Sequence, residues 1–203
     1  MPTIGLLDNF NRANSATLNN GTNWSQAVVF ANAGIRVNTN QAFCAPGLTA
    51  LLCLVPAVWN APAAGFAARQ GAALTFASTP TTGTALVLKA GTGTTPTNYL
   101  RVRYSSASGG QVVVETTTTG TAFTTQATFP GSFAVGDVLS AIALADGTVV
   151  AYRTSGATTT QLGAMTVATS GTGSWAPATG SGRVGMQLPS GARLDNFSGG
   201  TLP

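Results

Sequence analysis

The chain has 203 residues, 44% of them hydrophobic and only 7% charged, and nine basic against five acidic residues leave a net charge of +4. That length fits one domain, expected over residues 1–203, with enough chain to bury a sizeable core, and the apolar content excludes charge-driven disorder. The basic residues stand singly from Arg12 to Arg193, which excludes the clustered patch of a nucleic-acid interface.

Met1-Pro2-Thr3-Ile4 runs straight into a first strand with no basic and apolar leader, so no secretory signal is expected. Leu7-Asp8-Asn9-Phe10 reads as that strand, and the same four residues return near the end as Leu194-Asp195-Asn196-Phe197. In each copy the Leu and Phe anchor hydrophobic contacts, and the Asp and Asn are expected to face turns or solvent. Pairing the two copies would place the first strand beside the last and tie down both ends of the body.

Residues 11–24 are rich in turn-forming Asn, Ser and Gly, with Leu18 and Trp24 folding back onto the core. Residues 27–30 and 35–37 read as short strands around an Asn32-Ala33-Gly34 turn. The apolar stretch 48–55, between Pro46 and Pro56, fits a buried strand or one helical turn and is too short to span a bilayer. Cys44 and Cys53 are the only cysteines and no histidine accompanies them, which removes the usual zinc ligand sets. With no secretory signal to imply an oxidising compartment, buried free thiols are the expectation; the alternative is a disulfide closing a loop of about ten residues.

Residues 86–88 form a strand, and residues 98–115 give the clearest hairpin. There Tyr99, Arg101 and Arg103 alternate with Leu100, Val102 and Tyr104, so one face is buried. A symmetric loop puts Arg101 opposite Glu115, the only glutamate, as a cross-strand ion pair. Residues 116–119 and 121–128 are Thr-rich and extended, and Phe129-Pro130-Gly131 marks a break. Residues 136–139 lead into a strand at 142–144, Asp146-Gly147 supplies a two-residue hairpin turn, and 149–153 return. In the loop 169–181, Trp175 serves either as a core residue or as an aromatic stacking on a partner.

Asp8-Asn9-Phe10-Asn11-Arg12-Ala13, a following leucine and Trp24 resemble the opening of concanavalin-A-like, laminin-G-like jelly-roll domains. Gly182-Arg183-Val184-Gly185-Met186 and Ala192-Arg193-Leu194-Asp195-Asn196-Phe197-Ser198-Gly199-Gly200-Thr201 are similar to the last two strands of that family. The resemblance implies an all-β jelly-roll sandwich of two antiparallel sheets, first and last strands adjacent. Leu7, Phe10, Trp24, Leu100, Val102, Val112, Val114, Ile142, Leu144, Val184, Leu194 and Phe197 are expected in or near its core, with Asp8 and Asp195 in structural, turn-capping roles.

Many domains of this family belong to phage virion and bacterial surface proteins. The resemblance, the low surface charge and the missing leader together imply a non-enzymatic structural protein of a phage particle, a capsid decoration or tail component. Such a protein would be assembled in the host cytoplasm, sit on the virion surface, and contact other virion proteins or copies of itself, with no nucleic-acid or membrane partner. The alternative is a lectin-like module that grips cell-surface polysaccharide through candidate contacts Trp175, Trp59, Tyr99, Arg101 and Arg103. No cofactor is expected; calcium, which related sandwiches often hold, is disfavoured by five scattered acids.

Catalytic chemistry finds little support. Glycoside hydrolysis uses a pair of carboxyl groups, but Asp8, Glu115, Asp137, Asp146 and Asp195 never fall two to a short stretch. A glycan hydrolase built on Asp8 and Asp195 is a distant alternative. Without histidine no Ser-His-Asp or Cys-His arrangement exists.

Overall fold

The computed structural model describes residues 4–18, 22–27, 34–45, 53–93 and 95–203. The strands are β1 (Gly5–Asp8), β2 (Trp24–Ser25), β3 (Ile35–Asn38), β4 (Gln41–Cys44), β5 (Ala57–Trp59), β6 (Gln70–Phe76), β7 (Ala85–Ala90) and β8 (Tyr99–Ser105), with burial alternating along β3 and β4 and nearly unbroken along β6 and β7. They continue as β9 (Gln111–Thr117), β10 (Thr124–Pro130), β11 (Val138–Ala143), β12 (Thr148–Ser155), β13 (Thr158–Thr166), β14 (Arg183–Gln187) and β15 (Arg193–Thr201). Among the described residues helix is limited to short 3-10 turns such as Ala107–Gly109 and Ala176–Thr179.

One sheet runs β13-β12-β11-β6-β15-β4-β3 with β1 added on β15, and the other runs β10-β9-β8-β7-β14-β5-β2. The strand pairings are antiparallel. The main core fills the space between the sheets, with Leu74, Leu86, Leu88, Leu100, Val102 and Leu139 among its fully buried side chains. The protein is an all-β sandwich of two antiparallel sheets, as the sequence leads one to expect.

First and last strands do meet, with Gly5 opposite Gly199 and Asp8 opposite Phe197. The two repeated phrases are not equivalent, however. The first strand ends at Asp8, and Phe10 turns the chain at φ 53°, whereas the second copy stays inside β15 and absorbs a bulge at Asn196, φ 44°. Asp8 does not face solvent: it is 7% exposed, because four donor hydrogen bonds converge on it. Trp24 Nε1 donates at 2.7 Å, the Phe10 amide at 2.7 Å, and Arg12 Nη1 to both oxygens at 2.7 and 3.0 Å. Phe197 lies 4.9 Å from the Trp24 ring and Phe10 6.4 Å from it, so the structural roles expected of Phe10, Trp24 and Phe197 join in one aromatic cluster.

Other expectations shift locally. Ile142 and Leu144 face outward from the first sheet, under Ile4 and Leu202, because β11 sends Leu139, Ala141 and Ala143 into the main core instead. The turn after β11 spans residues 145–147, with Gly147 alone at positive φ, one residue longer than a two-residue hairpin. Cys44 and Cys53 are joined in a disulfide, correcting the expectation of free thiols: the end of β4 and the approach to β5 bring their Cα atoms to 5.9 Å. The strand expected at 27–30, the turn at 32–34 and the apolar stretch at 48–55 fall largely outside the described residues.

Lys89, the sole lysine, sits in a kink of β7 at φ 52° and is 2% exposed. Its ammonium donates to the carbonyls of Ala68, Leu144 and Gly180 at 2.8, 3.0 and 3.0 Å, tying both sheets to the loop before β14. Desolvation lowers its pKa to about 8, against an opposing pull from Asp146.

Candidate functional site

Strand β8 places Tyr99, Arg101 and Arg103 on the outer face of the second sheet, since Leu100, Val102 and Tyr104 take the inward positions. Gln187 at the end of β14 and Glu115 on β9 share that face. Arg101 stands directly across the ladder from Glu115, as the hairpin reading anticipates. Its Nε donates to Glu115 Oε2 at 2.7 Å, while Arg103 adds Nε to Oε2 at 2.9 Å and Nη2 to Oε1 at 3.0 Å. Burial pushes the Glu115 carboxyl up, but hydrogen bonds and charge from Arg103 and Arg101 outweigh it and hold the group below its usual value.

Gln187 knits the floor together. Its Oε1 accepts from Arg101 Nη1 at 3.2 Å, and its amide nitrogen donates to Tyr99 Oη at 3.1 Å and to the Leu54 carbonyl. Tyr99 is fully buried, donates to the Gly120 carbonyl at 3.3 Å, and has its pKa pushed up to about 12 by that burial. Phe123 lies across these groups, 3.4 Å from the Arg101 guanidinium carbon to its ring centre and 5.9 Å from the Tyr99 ring.

Above this floor lies an open groove of about 650 Å³. Residues 54–56 form one wall, and residues 95–97 and 119–121 the other. The first wall follows Cys53 directly, so the disulfide to Cys44 anchors it to the end of β4. Its chemistry is mixed: apolar faces from Leu54, Pro56 and Phe123 alternate with amide, hydroxyl and guanidinium groups, the combination small-molecule sites use.

Of the candidate contacts named from the sequence, Arg101 and Arg103 line the groove and Tyr99 supports its floor. Trp175 and Trp59 do not join them. Trp175 is 2% exposed and its indole nitrogen donates to Asn98 Oδ1 and the Thr117 carbonyl, while Trp59 is 8% exposed and packs edge-on against Trp24 at 5.3 Å. Both rings belong to the core. Phe123, Gln187 and the walls are additions. Phe123 is the lone aromatic within a Thr-rich run, a signal visible in the sequence, whereas the walls come from segments distant in the chain.

Asp8 and Asp195 are engaged in separate contacts. Asp8 is spent on Trp24, Arg12 and Phe10, and Asp195 accepts the Asn196 amide at 2.8 Å at the surface. Asp195 shares a hollow of about 300 Å³ with Asn9, Asn11, Asn40 and Asn196. That set brings one carboxylate, where Ca²⁺ takes six to eight oxygens and usually more than one carboxylate. Among the described residues no three of His, Cys, Asp and Glu gather as metal ligands.

No family model matches the sequence, and no curated protein does. Solved structures do. A mutant form of the GH43 protein BlXynB from Bacillus licheniformis superposes with a TM-score of 0.57 at 14% identity, over 96% of this chain and 39% of that one. Xyloglucan PUL GH43B from Bacteroides ovatus gives 0.55 at 13% identity, over 98% and 40%. What they share is the β sandwich. The chain thus spans about two-fifths of the length of these proteins. The matches correct the expectation of a phage-particle structural protein: the solved structures alike along nearly the whole chain are GH43 proteins, and the phage half of the family resemblance finds no support.

Proposed function

We propose that the chain is a carbohydrate-binding module that holds polysaccharide in the Arg101–Gln187 groove without cleaving it. The observation that carries this reading is the groove itself, an open trough with an aromatic ring, an amide and two guanidiniums converging on one floor. Saccharides present apolar ring faces edged by hydroxyls, and such a surface matches both. The GH43 likeness supports a carbohydrate setting, and xyloglucan, named with one of those structures, is the first ligand to try.

Binding without hydrolysis fits the carboxylates. Glycoside cleavage takes two of them flanking the bond, whereas Glu115 lies beneath the groove, neutralised by two arginines. The Cys44–Cys53 disulfide supports an oxidising compartment outside the cytosol.

Affinity electrophoresis through gels carrying xyloglucan and other cell-wall polysaccharides tests the reading. Retardation is expected for the native chain and is expected to vanish for Thr97→Trp, which fills the trough from an exposed wall position without touching the core. A chain that no polysaccharide retards would overturn it.

A further inference from the structure

We propose that the groove selects acidic saccharides, a uronic acid carboxylate of the glycan pairing with Arg101 and Arg103. This rests on the carbohydrate reading of the groove and adds the charge of the ligand to it.

The floor is unbalanced by one positive charge. Two guanidiniums share the single carboxylate of Glu115, which already accepts from both Nε atoms and from Arg103 Nη2. Arg101 Nη1 is taken by Gln187. Arg101 Nη2 and Arg103 Nη1 are left with no acceptor among the described residues. Neither arginine can shed its proton to relieve the imbalance.

The walls do not supply the missing anion. Residues 54–56, 95–97 and 119–121 carry no charged side chain, so no acid of the protein competes for the free donors from the rim. Partial burial strengthens the attraction, because the arginine side chains are only 15% and 21% exposed and the apolar wall of Leu54, Val55 and Pro56 keeps high-dielectric water from one side. A carboxylate is the anion that planar guanidinium donors match geometrically, and among saccharides a uronic acid provides it.

The test is titration calorimetry with three probes: a xylo-oligosaccharide bearing glucuronic acid, its carboxyl-reduced twin of the same shape, and a neutral xyloglucan oligosaccharide. The acid form is expected to bind about tenfold more tightly than its twin, the scale of one charge-assisted hydrogen bond, with the advantage shrinking as salt rises. Arg103→Gln is expected to abolish that preference while Glu115 keeps Arg101, and the comparison of twins on the native chain decides the matter should the variant fold poorly. Equal affinity for acid and twin overturns the selectivity and leaves the carbohydrate reading standing; no binding of any probe overturns both.

Discussion

Asp8 accepts the indole N–H of Trp24 at 2.7 Å from sixteen residues away in the chain, and the same carboxylate clamps Arg12. That single acid fastens the first strand to the aromatic cluster beneath the paired ends. Asp8→Ala strands a buried indole donor and a guanidinium, and is expected to cost on the order of 3 kcal/mol. Asp195→Ala, at the equivalent place in the repeated phrase, removes only a local amide contact and should stay within about 1 kcal/mol. Urea unfolding followed by tryptophan fluorescence compares them; equal losses would refute the asymmetry.

Glu115 gives the groove a pH signature. Its folded pKa lies below the ordinary 4.5, so the stability it contributes is present above that value and drains away as pH falls through the lowered one. The difference in unfolding free energy between the native chain and Glu115→Gln, read from urea titrations, should be widest near neutrality, about 3 kcal/mol for leaving two arginines without their partner. It should close as the pH drops below the ordinary carboxylate range. A difference that does not change with pH would refute this.

The disulfide carries both stability and one wall of the trough. Cys44→Ser with Cys53→Ser opens a loop of nine residues' separation and is expected to lower stability by about 2–3 kcal/mol. Because Leu54 receives the Gln187 amide through its carbonyl, the same double change should weaken polysaccharide retardation more than Thr160→Ala, a surface change elsewhere. Unaltered retardation in the disulfide-free chain would separate the wall from binding.

Gly185 sits between β5 and β7, where a Cβ would overlap the Ala57 carbonyl oxygen. Gly185→Ala therefore has to push two strands apart, and a loss of about 2–3 kcal/mol is expected from such overpacking. Thermal melts measure it; an unchanged midpoint would show the ladder to be more yielding than its geometry.

The sequence announced the fold where local pattern and tertiary role agree. Strict alternation exposed the β8–β9 hairpin and put Arg101 across from Glu115, and the repeated Leu-Asp-Asn-Phe phrase pointed to adjacent ends. β6 escaped because its Gly, Ala and Leu residues are buried on both faces, which erases any period of two. β13 escaped for the opposite reason: an edge strand of Thr, Gly and Ala lies mostly in solvent and buries too little to leave a pattern. Trp59 and Trp175 read as candidate contacts because an aromatic residue in a loop looks the same whether it turns inward or outward; only the partners Trp24 and Asn98, far off in sequence, decide it. The groove was half visible, since its arginines share one strand but its walls come from three separate segments. Spacing alone left the cysteines open, and reasoning from compartment pointed the other way.

Lys89 holds the one side-chain amine in the sequence, sealed beneath three carbonyl oxygens at the seam of the two sheets. Acylating reagents reach it when that seam parts, so the rate at which they label Lys89 becomes a clock for the opening of the seam. The same arrangement makes the fold's breathing readable by mass spectrometry at a single, built-in position.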